Sequence, residues 1–104
     1  MTNPFDELDE STITKGIKKY LETRYPGVWY KIHGGPYQEA GIPDIVGCHD
    51  GKFFAFEVKK PKRKHKVTLQ QEYQINRLST AGAITGVVTS KADVARIMLL
   101  RGIQ

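Results

Sequence analysis

The chain has 104 residues, of which 39% are hydrophobic, and a formal net charge of +5. This length suits a single domain with one core. The single cysteine, Cys48, excludes an internal disulfide framework, and no run approaches the roughly 18 apolar residues that span a membrane. Because residues 1–8 also lack an apolar signal core, we expect a soluble, cytoplasmic protein.

Apolar periodicity and turn signals predict the element order α-β-β-β-α-β-α. The predicted elements span 9–24, 28–32, 43–48, 52–59, 69–81, 83–89 and a last helix, capped by Ser90 or Asp93, that reaches Leu99 or Leu100. Residues 1–8 are polar and are expected to be loosely ordered. The β-branched run 83–89 predicts a central strand. This order is typical of an α/β fold with a mixed central β-sheet flanked by helices.

The most informative segment is the predicted hairpin, because Asp50-Gly51 between two apolar runs is typical of a two-residue type I′ turn. Counting outward from this turn places Asp44 directly opposite Glu57. Lys59 lies two residues beyond Glu57 and therefore points to the same side of the sheet. Two carboxylates and one amine are thus expected to converge at the open end of the hairpin.

Directly opposed like charges destabilise a sheet unless a cation lies between them, so this arrangement indicates a divalent-metal site. The main-chain carbonyl of Val58 offers a further oxygen ligand beside the two carboxylates. The alternative is a cross-strand cluster of salt bridges. A bulge at His49 or Lys52 would also rotate Glu57 away from the face of Asp44.

Positive charge is concentrated in residues 59–66, which hold six Lys/Arg and no acid, whereas the other residues hold ten Lys/Arg against eleven Asp/Glu. Such a run attracts a polyanion, and a solvated loop or a localisation signal are the alternatives. His33, in a glycine-rich loop, is a further candidate for DNA contact, or else a solvated loop residue. The candidate DNA contacts in the run are Lys60, Lys62, Arg63, Lys64 and Lys66.

Cys48 lies in the apolar part of the predicted hairpin and is expected to be buried and inert.

Pro43-Asp44 followed by Glu57-Val58-Lys59 matches the PD-(D/E)XK nuclease motif. The wider strings 29–35, 41–47 and 56–59 resemble the VRR-NUC family, the virus-type replication-repair nuclease branch of that superfamily. The resemblance extends from about Glu10 to Leu99, nearly the whole chain, and rests on several ordered motifs.

The resemblance implies a restriction-endonuclease-like core and a Mg²⁺- or Mn²⁺-dependent DNase. Asp44, Glu57 and the Val58 carbonyl would hold the metal, and Lys59 would be the catalytic lysine. Glu10 would add a ligand or hold a metal-bound water, with Glu7 a weaker candidate. The alternative for Glu10 is an acid placed in the first turn of a helix by the helix dipole.

The family commonly opens the next helix with Thr-Pro-x-Gln, where this chain has Thr68-Leu69-Gln70-Gln71. Gln71 keeps the spacing and would lie near the metal, with Gln70 the alternative if the helix register shifts. Thr-x-x-Gln is also a capping box, in which Gln71 would bond to the backbone instead.

Relatives without further domains resemble Holliday-junction resolvases, which implies a homodimer that cleaves branched, junction or flap DNA. A phage-encoded protein is compatible with this resemblance. Two other functions fit part of the pattern. The first is a non-catalytic nucleic-acid-binding module that keeps the nuclease-like fold. The second is a structural partner of a phage or repair complex.

Overall fold

The structure, a computed structural model, describes residues 8–64 and 66–104. The helices and strands follow the predicted order, and the bounds of those before the last helix lie within two residues of the predicted ones. They are α1 (Glu10–Arg24), β1 (Val28–Lys31), β2 (Ile45–His49), β3 (Lys52–Val58), a short 3-10 turn (Pro61–Arg63), α2 (Leu69–Thr80), β4 (Ile84–Val88) and α3 (Lys91–Leu100). No helix within the described ranges is both long and apolar enough to cross a bilayer.

Each helix begins at a side chain that accepts a hydrogen bond from its first turn. Asp9 accepts from the N–H of Thr12 at 2.7 Å, and Thr68 does the same for α2. At α3 the cap is Ser90, whose hydroxyl accepts from the N–H of Asp93 at 3.2 Å. Such caps satisfy donors that the helix itself leaves unpaired.

The sheet has four strands in the order β1-β2-β3-β4, antiparallel except for the parallel pair β3–β4. The fold class is therefore confirmed as a mixed sheet flanked by helices. The prediction that 83–89 is a central strand is wrong, because β4 lies at the edge of the sheet. Its apolar, β-branched sequence instead reflects helices α2 and α3, which both pack against it.

One face of the sheet, the core face, carries the hydrophobic core. Phe54 and Phe56 are fully buried there, and Trp29 packs against both rings at 5.5 and 6.5 Å between centroids. Helices α1 and α3 cover this face with the apolar residues Ile13, Ile17, Leu21, Val94 and Met98. The opposite face, the site face, is covered by α2 over β3 and β4.

One residue near the hairpin turn differs from the expectation. Cys48 is exposed rather than buried, because the register places it on the site face beside Phe53, beyond the cover of α2. The Nδ1 atom of the neighbouring His49 lies 2.6 Å from the carbonyl oxygen of Pro26. This contact joins the hairpin to the short connection between α1 and β1.

Candidate active site

The hairpin has the predicted turn and register. Asp50 and Gly51 both have positive φ, 52° and 75°, as a type I′ turn requires. The pairing runs without a bulge from His49–Lys52 to Ile45–Phe56. The next pair in this register is Asp44 with Glu57, so both carboxylates lie on the site face.

Asp44 and Pro43 together interrupt the β2–β3 ladder at this point. The register places Pro43 opposite Val58, and proline has no N–H to donate to the Val58 carbonyl. The N–H of Val58 donates instead to Oδ2 of Asp44 at 2.7 Å. The Asp44 carboxylate is thereby held in place, and the Val58 carbonyl has no ladder donor from β2.

Glu57 is the central side chain of the site and is only 2% exposed. Its Oε1 accepts a hydrogen bond from the side-chain amide of Gln71 at 2.9 Å and lies 3.9 Å from Nζ of Lys59. Its Oε2 is buried and has no hydrogen-bond partner within the described residues. Oε1 is thus held by Gln71 and Lys59, whereas Oε2 could accept a ligand.

The environment of Glu57 favours its protonated form when no cation is bound. Burial, and then the neighbouring Asp44 carboxylate, raise the pKa of Glu57 from 4.5 to about 8. The Lys59 ammonium acts in the opposite direction, and the charge of Glu10 adds a small further increase. A carboxyl group held neutral in this way would ionise when a divalent cation replaced its proton.

Gln71 combines the two roles that the sequence left as alternatives. Its side-chain oxygen accepts from the N–H of Thr68 at 3.0 Å, and its own N–H donates to the Thr68 hydroxyl at 3.1 Å, which completes a capping box. The amide nitrogen of the same side chain reaches Glu57. Gln70 is exposed, so the helix register selects Gln71.

The loop before Asp44 packs against the first turns of α2, a contact that the sequence motifs did not indicate. Gly41 has a φ of 83°, and a Cβ there would lie 2.4 Å from the main-chain carbonyl of Gln70. Further along, the Gln74 side chain donates to the Ala40 carbonyl at 3.3 Å. These contacts fix the approach of α2, and hence of Gln71, to Glu57.

The donor set fits a hard divalent cation such as Mg²⁺ or Mn²⁺. It offers the carboxylates of Asp44 and Glu57 and the carbonyl of Val58, all oxygen ligands. The buried Oε2 of Glu57, which has no hydrogen-bond partner among the described residues, is the specific observation that fits a cation. In the described ranges no three His, Cys, Asp or Glu side chains are grouped as metal ligands. The charge of Glu10 acts on Glu57, and its role as a further ligand or as the holder of a metal-bound water stays a prediction.

The residues predicted to contact DNA lie in the two loops that follow β1 and β3, and none of them belongs to the Asp44–Glu57 pair. Lys62, Arg63, Lys64 and Lys66 are exposed in the connection that follows Lys59, and Lys60 is partly buried. His33 is exposed in the loop after β1. Lys64 lies 3.6 Å from Asp93, which also pairs with Arg96 at 2.7 Å. Glu7 and His65 lie outside the described residues.

The small α/β core thus brings Asp44, Glu57 and Lys59 together at the open end of one hairpin. The sequence matches no family profile and no curated protein. Two solved structures are similar in fold. A "VRR_NUC domain" has a TM-score of 0.68 and 24% identity, over 86% of this chain and 94% of that one. A "VRR_NUC domain protein" has a TM-score of 0.67 and 17% identity, over 90% of this chain and 86% of that one. The chain therefore has the VRR_NUC fold, which supports the family assignment made from its motifs.

The raised pKa of Glu57 predicts a pH-dependent stability in the absence of metal. Between about pH 4.5 and about 8 the folded state binds more protons at Glu57 than the unfolded state does. The free energy of unfolding should therefore fall as the pH rises through this window. Glu57→Gln, which cannot ionise, should remove this decrease and be the more stable protein above pH 8, by a few kcal/mol at most.

Thermal unfolding in EDTA across this pH range measures the effect, and Glu72→Gln is the matched control because Glu72 is exposed on α2. A Glu57→Gln protein that keeps the parental pH slope would contradict this account of the site.

Proposed function

We propose that this protein is a metal-dependent DNA endonuclease that hydrolyses phosphodiester bonds. The observation that carries the proposal is the pairing of Asp44 with the buried Glu57, one of whose oxygens has no partner in the described chain. Burying a carboxylate beside a second one destabilises a fold, and a domain that only binds DNA gains nothing from it. A cation-dependent reaction accounts for the pair, because a bound cation would offset both negative charges.

Asp44, Glu57 and the Val58 carbonyl are the residues that would hold Mg²⁺ or Mn²⁺. A divalent cation in such a site polarises a phosphoryl oxygen and lowers the pKa of bound water. The N–H of Val58 keeps the Asp44 carboxylate oriented, and the Gln71 amide does the same for Glu57. The ligands are therefore already oriented before substrate binds.

Lys59 is the residue proposed to act directly on the substrate. Its side chain is 11% exposed and lies beside Glu57, at the end of β3. An ammonium there can orient the attacking water and offset the negative charge that builds up on the phosphate. Water adds to phosphorus, the bond to the leaving oxygen breaks, and that oxygen takes up a proton. Glu10 would hold a further water near this point.

The basic segment, residues 60–66, is proposed to bind the DNA backbone next to the cleaved bond. Its exposed cations continue directly from Lys59, so a strand held by them would pass over the carboxylates. We propose that the substrate is selected by the structure of the DNA and not by its sequence. We propose branched DNA, such as a Holliday junction or a flap, as the substrate.

The first prediction of this proposal is loss of cleavage when the site is altered. Asp44→Asn, Glu57→Gln and Lys59→Ala should each reduce cleavage of a junction or flap DNA by at least about 100-fold with Mg²⁺ or Mn²⁺. Each variant should still fold. Mn²⁺ should also raise the melting temperature of the parent, because it binds only the folded site, and should have little effect on Glu57→Gln.

Lys52→Ala is the matched control, since Lys52 lies at the opposite end of the same strand. Parental cleavage by Lys59→Ala would contradict the assigned role of the lysine. Tight DNA binding without cleavage by the parent, with either metal, would favour the non-catalytic binding module.

The second prediction concerns how DNA binding by the basic segment depends on salt concentration. Arg63→Gln with Lys66→Gln should weaken DNA binding, because each lost phosphate contact reduces the release of counterions. The slope of log K against log salt should become shallower by roughly 2. The double variant Lys19→Gln with Arg101→Gln removes the same charge from exposed positions on α1 and after α3. Equal changes in slope for the two double variants would indicate a general charge effect and not a binding segment.

By resemblance to junction resolvases, we also propose that the protein acts as a symmetric homodimer, because two opposed cuts require two sites. Light scattering of the DNA-free protein should give twice the mass of the 11.7 kDa chain. The mass of a single chain, with and without junction DNA, would contradict this proposal.

A further inference from the structure

The site face carries an exposed aromatic side chain, Tyr30, on β1, the strand that pairs with β2 next to Asp44. Tyr30 pairs with Val46 in the β1–β2 register, and Asp44 lies two residues further along β2. The N–H of Ile32 donates to the Asp44 carbonyl at 2.7 Å, so the two strands remain paired up to the site. Residues in this diagonal relation have Cβ atoms roughly 7–8 Å apart.

Tyr30 projects from the half of the site face that α2 leaves open. Its side chain is 61% exposed, whereas Trp29, on the other side of the same strand, is 5% exposed. Val28, on the same side as Tyr30, is 54% exposed. On the other half, α2 and Gln71 lie over Glu57. A DNA strand with a phosphate at the carboxylates could therefore extend over Tyr30. It could not extend in the other direction, because α2 covers that half of the face.

We propose that Tyr30 stacks on an unpaired nucleobase next to the cleaved phosphate and so selects DNA that is unpaired at that position. This inference rests on the proposed function and specifies its substrate class. An aromatic ring on an open sheet surface is a sequence-tolerant platform for a base. Inside an intact duplex the faces of the bases are covered by their neighbours, so only a flap, gap, junction or frayed end presents one.

Tyr30 is a positioning residue in this account, so its loss should appear mainly in substrate binding. Stacking on an aromatic side chain contributes to the binding of each stacked base and depends little on sequence. Tyr30→Ala should therefore raise KM for a flap or gapped DNA about 10-fold or more, with a smaller change in kcat. Cleavage of uninterrupted duplex should be unchanged. Tyr30→Phe, which keeps the ring, should behave like the parent.

Tyr73→Ala is the matched control, because Tyr73 is 58% exposed and lies on α2 with its ring against Arg77. A second readout does not depend on cleavage. In the Glu57→Gln background, a 2-aminopurine base placed at one of the unpaired positions of a gapped DNA, each position being tested in turn, should lose fluorescence on binding at one or more of them. Tyr30→Ala should abolish this quenching, whereas Tyr30→Phe and Tyr73→Ala should preserve it.

The outcomes separate the inference from the function on which it rests. If the parent cleaves DNA but Tyr30→Ala and Tyr73→Ala have the same KM and quenching, the role of Tyr30 is overturned. If Tyr30→Ala changes the mass of the protein in solution, the open face contacts a second copy and the inference is likewise overturned. If the parent cleaves no DNA at all, the proposed function fails, and the quenching measurement still decides whether Tyr30 contacts a base.

Discussion

The site depends on the interruption of one ladder position between β2 and β3. Pro43 cannot donate to the Val58 carbonyl, and the Asp44 side chain accepts the N–H of Val58 at 2.7 Å. The same event therefore fixes a carboxylate and leaves a carbonyl without its usual partner. A continuous ladder would have given a more regular hairpin and no oxygen site at its end.

The other elements position side chains around this interruption. The parallel pairing of β4 with β3 supports the end of the strand, since the N–H of Lys59 donates to the Val88 carbonyl at 3.0 Å. The close approach of Gly41 to Gln70 brings the start of α2 over Glu57. As a result, Gln71 both completes the helix cap and restrains the buried carboxylate. The cap of α2 and the orientation of the Glu57 carboxyl group are thus coupled through one side chain.

The site face is divided between two chemical environments. Under α2 the carboxyl group of Glu57 is buried, which raises its pKa and favours its protonated form. Beyond α2 the face is open and carries Tyr30, and the basic segment continues from the end of β3. In the proposed complex the basic segment would bind the phosphates of a DNA strand, whereas Tyr30 would stack on a base only where that base is unpaired.

The sequence alone determined the hairpin and most of the site. Asp50-Gly51 specifies a two-residue turn, and its register then fixes which residues share a face, because side chains alternate along a strand. Only the tertiary structure decided that β4 is an edge strand, that Cys48 is exposed and that Gln71 reaches Glu57. Those outcomes depend on which faces the helices cover and on contacts between residues distant in the chain. Apolar runs look alike at the centre and at the edge of a sheet when helices bury both faces.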